Sequence, residues 1–433
     1  MARRFLPLSV FTFAALPLSL AATARAQYYA AEPPPLGAPW YEALEFSAFA
    51  DAYASVNYNF PKPQDDANGF RAYDTDNGFA LAWVGLDVGY EPDPVGGTLS
   101  LRFGPTAETI GASCLSADTA CDGERGLDVV KQAFVSFQPF GAGSRLTLDF
   151  GKFDTIYGAE VAESQHNFNY TRGLLYWLGQ PLFHTGLRLG FEIVPELSAT
   201  ALVVNGYNNS VDNNVGKSFG LQLAYAPSDR YALYFGWLGG PEQDDTALVE
   251  CGAGTSYSAE QGACVPDAAA PDAALYRIDR GGANELEAFR HLLDLVVVYS
   301  PIDVLGLQLN ADYGTEGVRG ASGVEHQSFY GVMLAARLEL TDVWAVAGRG
   351  EYYADPDGRT TGFSDTSLAS GTLTLEALPT ENLVLRLEQR ADFVIDSEAE
   401  RDGAATTELF GKDLRDGASQ QHTTTLGVVV RTN

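Results

Sequence analysis

From Leu44 to the last residues the chain is a succession of segments, each about ten to fifteen residues long, in which apolar and polar side chains alternate. A period of two is the signature of a strand with one dry face and one wet face. The stretch 382–396 shows it best. Leu383, Leu385, Leu387, Ala391, Phe393 and Ile395 fall on one face and Arg386, Glu388, Arg390 and Asp392 on the other, with Gln389 the exception. Helical spacing would scatter those charges all round. About sixteen such segments can be drawn, within a range of about fourteen to eighteen, and an even number is what bacterial membrane barrels have.

The connections carry independent information because their lengths alternate. Tight turns sit at 92–94, 140–143, 194–196, 227–229, 301–303, 340–342 and 379–381, all rich in Pro, Gly, Asp, Ser or Thr. Longer loops run through 61–76, 105–125, 153–181, 208–215, 240–285, 316–324, 355–363 and 398–417. One tight rim and one ragged rim is the arrangement of an outer-membrane barrel with short periplasmic turns and long extracellular loops. A soluble sandwich or propeller has no reason to keep it. The expected fold is therefore all-β, a transmembrane antiparallel β-barrel occupying 44–433.

The N-terminus agrees. Arg3 and Arg4 precede a mostly apolar run from Phe5 to Ala22, and Ala24-Arg25-Ala26 supplies a small-x-small cleavage site, so 1–26 reads as a signal peptide cleaved after Ala26. Residues 27–43, with Pro33, Pro34, Pro35 and Pro39, read as a flexible periplasmic lead-in. No later stretch approaches the roughly 18 to 20 apolar residues of a membrane helix. The longest, Leu292 to Tyr299, contains Asp294. With 56 acidic against 27 basic residues, the net charge of −29 repels nucleic acid. Hydrophobic residues at 46% and aromatic residues at 12% are too many for a disordered acidic chain.

Four cysteines form two pairs close in sequence, Cys114 with Cys121 and Cys251 with Cys264, each among Gly, Ala, Ser, Asp and Pro. In an oxidising compartment these are expected to be disulfides that staple loops. The spacings are not those of zinc clips, and no histidine lies nearby. Loop 240–285 also concentrates acids, among them Glu242, Asp244, Asp245, Glu250 and Glu260. Solubility and mutual spacing of loops account for them better than divalent-cation ligation, since no ligand-loop spacing is present.

The polar faces of the strands project a mixed set of charges into the expected lumen. Arg102, Asp149, Arg188 and Glu192 come from the first half of the chain, and Arg290, Asp294 and Asp312 follow. Arg337, Glu339, Arg349, Glu351, Arg386, Glu388, Arg390 and Asp392 come from the last strands. A barrel of about sixteen strands lined in this way leaves an aqueous channel unless something fills it, although inward charges also pair across the wall and hold it round. Loop 153–181 carries Leu174-Leu175-Tyr176-Trp177, which is expected to fold into the mouth or lumen. That would put Glu160, Glu163, His166, Asn169 and Arg172 at a constriction. Glu160, Glu163 and His166 also have i, i+3, i+6 spacing, but two carboxylates and one imidazole are a common accident on an acidic chain, so no metal and no cofactor is expected.

Enzymatic signatures are poor. There is no G-x-S-x-G elbow, no phosphate-cradling glycine loop and no H-E-x-x-H helix, and a hydrolytic triad at the barrel rim would have to draw on His184, His291 or His326. The expectation is a protein without enzymatic activity.

The stretch 151–241 resembles the OmpL-like β-barrel porins. The likeness lies in Gly151-Lys152-Phe153, Tyr157-Gly158-Ala159-Glu160, Asn167-Phe168-Asn169-Tyr170-Thr171-Arg172, Pro181-Leu182-Phe183-His184-Thr185-Gly186, Val204-Asn205-Gly206-Tyr207-Asn208 and Gly240-Pro241-Glu242. Residues 49–58 and 79–86 look like that family's opening strands. The resemblance implies a pore for small hydrophilic solutes in an outer membrane and carries over no catalytic residue. The chain departs from the common pattern of outer-membrane barrels in ending Val430-Arg431-Thr432-Asn433 and not on an aromatic residue.

Together these readings predict an outer-membrane porin for passive diffusion of small hydrophilic solutes or ions, leaning towards cations, in contact with membrane lipid and lipopolysaccharide and assembled as a homotrimer. The alternative is a non-conducting barrel that serves as adhesin, receptor or structural anchor, with loop 240–285 as its binding surface. Conductance separates the two.

Overall fold

The computed structural model describes residues 40–61, 67–91, 93–111, 127–141, 143–258, 263–267, 269, 272–279, 286–320, 323–396, 410 and 418–432. The expected signal peptide with its cleavage site, most of the lead-in, and Cys114 with Cys121 lie outside these.

A short 3-10 turn, Trp40–Ala43, leads into β1 (Leu44–Asn57). The chain then runs up and down through β2 (Gly78–Tyr90), β3 (Val95–Phe103), helix α1 (Pro105–Gly111), β4 (Val130–Phe137), β5 (Leu146–Asp154), β6 (Phe183–Val194), β7 (Leu197–Val204), β8 (Ser218–Ser228) and β9 (Tyr231–Pro241). Four short strands follow: β10 (Thr246–Cys251), β11 (Thr255–Ser258), β12 (Ala263–Pro266) and β13 (Ala274–Asp279). The long strands resume with β14 (Phe289–Ile302), β15 (Leu305–Gly320), β16 (Gly323–Glu339), β17 (Trp344–Asp357), β18 (Ser364–Thr380), β19 (Leu383–Asp396) and β20 (Gln420–Arg431).

Sixteen of these strands, β1 to β9 and β14 to β20, close into one antiparallel barrel, with β20 returning to pair with β1. Closure leaves no unpaired edge, the condition for a sheet to sit in lipid. The number is the one the alternation predicts. Among the described residues no helix is long and apolar enough to cross a membrane.

Each strand sorts its side chains by parity, as the pleat requires. On β19, Arg386, Glu388, Arg390 and Asp392 are all buried inside the barrel, while Leu387 and Ile395 point outward and are exposed. Outward positions elsewhere carry Phe79, Phe150, Phe219, Leu334 and Leu373, with Phe79 at 97% exposure. So much exposed apolar surface would drive association in water and is at rest only against lipid.

One difference from the sequence reading lies in 240–285. This stretch builds its own structure, with β10 pairing with β13 and β11 with β12, and Cys251 disulfide-bonded to Cys264. The excursion starts and ends at adjacent points, because Pro241 and Phe289 are direct partners in the barrel ladder. A disulfide and two hairpins supply the local pairing that a bare loop of this length would lack.

Candidate functional site

The segment between β5 and β6 folds into the barrel, as its apolar content requires. Tyr157, Phe168, Leu174 and Leu175 are buried in one cluster with Leu202, Val296, Val298 and Met333, residues that point inward from the wall. Burying each large apolar side chain is worth roughly 1.5–3 kcal/mol. Glycines let the loop lie close to the wall. A Cβ at Gly427 would stand 2.2 Å from the Tyr170 ring, and one at Gly236 would stand 2.6 Å from that of Tyr157.

Polar contacts hold the same loop on all sides. Thr155 Oγ1 lies 3.1 Å from His184 Nε2 of β6, and Tyr157 donates to the Trp237 carbonyl of β9 at 2.8 Å. The Gly158 amide donates to Asp294 of β14 at 3.1 Å, and the Ala159 amide to Asn310 of β15 at 2.9 Å. Glu160 takes a charge-assisted bond from Arg349 of β17 at 2.6 Å and accepts from the Gly173 amide at 2.7 Å. Glu163 pairs with Arg102 of β3 at 2.7 Å and with Lys131 of β4 at 2.8 Å. Asn169 donates to Thr374 of β18 at 2.8 Å, while Glu388 of β19 accepts from the Tyr170 and Thr171 amides at 2.7 and 3.1 Å. Arg386, also on β19, donates to the carbonyls of Ser164, Asn167 and Asn169. The loop thus crosses the lumen and does not lie along one wall.

The loop between β1 and β2 joins it, a placement the sequence reading leaves outside. Arg71, Tyr73 and Asp74 are fully buried, with Arg71 paired to Asp392 at 2.8 Å. Asp51 on β1 receives hydroxyl donors from Tyr73, Tyr170 and Ser164, so one carboxylate ties both loops to the wall. Arg172 sits 4.1 Å above the Tyr73 ring and donates to the Ala162 carbonyl at 2.9 Å. Three hydroxyl donors and a nearby cation are the kind of partners a buried charge demands.

The electrostatics of the loops follow from this packing. Burial by itself would raise the Glu163 carboxyl, but Lys131 and Arg102 hold it well below the ordinary carboxylate range. At Asp74 burial prevails over Arg71 and Arg390 and pushes the carboxyl up to about 7. Glu242, beyond the end of β9, is likewise pushed up to about 7 by burial, against the pull of Arg290 and of its bond from Ser218.

The lumen residues expected from the sequence point inward, and most of them pair. Asp149 meets Arg188 at 2.9 Å, and Arg188 also lies 4.7 Å from the Phe153 ring centroid. Arg290 pairs with Glu316 at 2.7 Å, Arg337 with Glu339 and Glu376 at 2.7 Å each, Arg349 with Glu351 at 3.1 Å, and Arg390 with Asp392 at 2.8 Å. Glu192 is half-buried near the tight-turn end of β6. Asp294 and Asp312 are buried as direct cross-strand partners.

The i, i+3, i+6 spacing does not gather a ligand set. Within 160–166 just Ser164–His166 forms a helical turn, Glu160 and Glu163 face different strands, and His166 stands exposed. Among the described residues no group of three or more His, Cys, Asp or Glu side chains could hold a metal ion. The histidines are also dispersed: His184 is buried between Thr155 and the Gly206 carbonyl, and His291 stacks on Trp237. Asp51, Arg71, Lys131, Asn310 and Glu376 escape the sequence reading. The signal that could have found Asp51 is its inward parity as a lone charge among the alanines of β1.

Comparison with protein families gives a match over residues 43–431 to the family described as "Putative beta-barrel porin-2, OmpL-like". The chain belongs to that family. No curated protein matches it. Among solved structures this porin-family barrel is similar to the outer membrane channel DcaP of Acinetobacter baumannii, at 9% identity and a TM-score of 0.53, over 90% of this chain and 97% of that one. It is also similar to the outer-membrane OmpT of Vibrio cholerae, at 13% identity and a TM-score of 0.51, again over 90% and 97%. A third likeness is to an anion-selective porin from Comamonas acidovorans, at 12% identity and a TM-score of 0.50, over 90% and 99%. At such identities the likeness is one of fold. The protein is thus an outer-membrane channel barrel of porin type.

Proposed function

We propose that this barrel lets small hydrophilic solutes or ions diffuse passively across the outer membrane, with a preference for cations. The observation that carries the reading is the pairing of an apolar outer surface with a charged, hydrogen-bonded lumen inside one closed wall. Glu160, Glu163, Asn169 and Arg172 then act at the constriction, with His166 at its exposed edge, and the remaining lumen charges set the field along the path. A chain of net charge −29 enriches cations at its mouth. Contact with lipid and lipopolysaccharide and assembly as a homotrimer belong to the same proposal. In support of the latter, the outward face of β1 carries Ala48, Ala50, Ala52 and Ala54, small enough for a second copy to approach closely.

The test is ion conductance and reversal potential of the refolded mature chain in a planar bilayer under a salt gradient. Steady steps with a cation-biased potential support the reading, and neutralising Glu160 and Glu163 together should reduce that bias. A second reading has its own support, because the inner loop touches walls all round the lumen. A heat-modifiable barrel that stays silent would favour a non-conducting adhesin, receptor or anchor with its surface on 240–285.

A further inference from the structure

The charged groups at the constriction differ in how well they are neutralised. Glu160 is answered by Arg349, and Glu163 by Arg102 and Lys131. Several lumen carboxyls keep one buried oxygen without a hydrogen-bond partner, namely those of Asp74, Glu316, Glu351, Asp294 and Asp312. The first three face an arginine, Asp74 meeting Arg71, Glu316 meeting Arg290 and Arg359, and Glu351 meeting Arg349. Asp294 and Asp312 face none, and no ion pair among the described residues includes either of them.

These two are direct partners across the β14–β15 ladder, 1% and 4% exposed. Like charges placed opposite each other on a sheet repel, and buried carboxylates without a counter-charge are costly. Their Oδ1 atoms are engaged. Asn310 Nδ2 donates to both, at 3.0 and 2.9 Å, and the Gly158 amide donates to Asp294. The Oδ2 atoms have no other donor, the two carboxyls lie within hydrogen-bonding reach of each other, and glycines stand beside them. A Cβ at Gly236 would lie 3.5 Å from Asp294 Oδ2, and one at Gly179 would lie 3.7 Å from Asp312 Oδ2. Side chains there would meet the Tyr157 ring or Leu175 first and would crowd the two oxygens as well.

We propose that Asp294 and Asp312 form a cation-binding site in the lumen wall, where a partly hydrated hard cation rests on the two free carboxylate oxygens. The donors are all oxygen, which suits calcium or an alkali ion and not zinc or copper. The position is against the inner loop, whose Gly158 and Ala159 amides are held by Asp294 and by Asn310. The wall of β14 and β15 thereby adds its own share to the cation preference set by the loop carboxylates. This part rests on the passage proposed above, but occupancy of the site does not.

The experiment has two arms on the full mature chain. In detergent, the midpoint of heat modification is followed in calcium chloride and in choline chloride of equal ionic strength, for the wild type, Asp294→Asn, Asp312→Asn and the double variant. Asparagine keeps an Oδ1 acceptor for Asn310 and Gly158, and Glu339→Gln serves as a lumen control already paired with Arg337. Calcium should raise the wild-type and control midpoints, with the rise reduced in each single variant and lost in the double. In the bilayer, the double variant should show a weaker cation preference in potassium chloride than the wild type. If the double variant does not refold, Asp312→Asn decides alone on the same criteria. A calcium rise that is the same in variants and wild type overturns the site. So does a midpoint that moves with pH but not with calcium, because the occupant is then a proton. A silent bilayer with a variant-sensitive calcium rise sinks the passage reading and leaves the site standing. Conducting channels indifferent in both arms do the reverse.

Discussion

Arg386 grips the inner loop from the wall at three carbonyls, and replacing it with methionine isolates that grip. Its guanidinium donates to three loop carbonyls, those of Ser164, Asn167 and Asn169, and pairs with Glu376 at 2.6 Å. Methionine fills similar space without charge, so the loss is electrostatic. Breaking a buried pair by removing one partner costs about 3–5 kcal/mol. Glu376 keeps Arg337 at 2.7 Å, which puts the pair's share at the lower end. Three carbonyls lose charged donors that are worth about 1.5–3 kcal/mol each when they have no substitute, and water in a loosened lumen recovers part of this. A net destabilisation of about 3–5 kcal/mol, concentrated on 164–169, is the expectation. Arg337→Met is the control, since Arg337 pairs with the same Glu376 and with Glu339 but makes no bond to the loop. Both variants should lower the heat-modification midpoint. Only Arg386→Met should raise single-channel conductance or open-channel noise. Equal conductance in Arg386→Met and wild type, or an equal change in the control, would refute the idea that the loop limits passage.

The first loop should respond to pH. Burial lifts the Asp74 carboxyl to about 7 in the folded chain, so the folded state holds its proton over a range where the unfolded state does not. The resulting stability is fully present below about pH 4 and lost as pH rises through 7. Heat-modification midpoints should therefore fall between pH 4 and 8, and Asp74→Asn should flatten that slope. Replacing both Cys251 and Cys264 by serine opens a cross-link spanning 13 residues. Removing a loop constraint of this size costs the hairpins roughly 3 kcal/mol and should speed proteolysis within 246–279 without altering conductance. Gly427→Leu would drive a side chain into the Tyr170 ring, and the expected result is a barrel that still closes but whose inner loop becomes protease-sensitive.

The sequence alone carried the architecture a long way, because in a strand successive side chains must point to opposite faces. Asn382–Asp396 divided its charges from its leucines before any partner was known, and β19 places them as that division requires. The long-short rhythm of the connections added the two rims. The hairpins of 240–285 were less legible, since short strands joined by a disulfide have no lipid or core face to impose alternation. Loop 153–181 announced its burial through Leu174-Leu175-Tyr176, whereas 67–76 has few apolar residues and is drawn inside by ion pairs that the sequence does not display.

What the sequence by itself determined is the closed barrel and many of the charges facing inward, though not Asp51, Lys131 or Glu376. Only the tertiary structure decided which charge meets which. Glu160 finds Arg349 across 189 positions, and Glu388 reaches the Thr171 amide across 217. Ladder register and loop insertion set those meetings, and neither leaves a local trace, because a strand's pattern fixes the face of each residue but not its height against a partner far along the chain. For the same reason Asp294 and Asp312, two unremarkable inward acids in the sequence, become an unneutralised pair only when β14 and β15 are laid side by side.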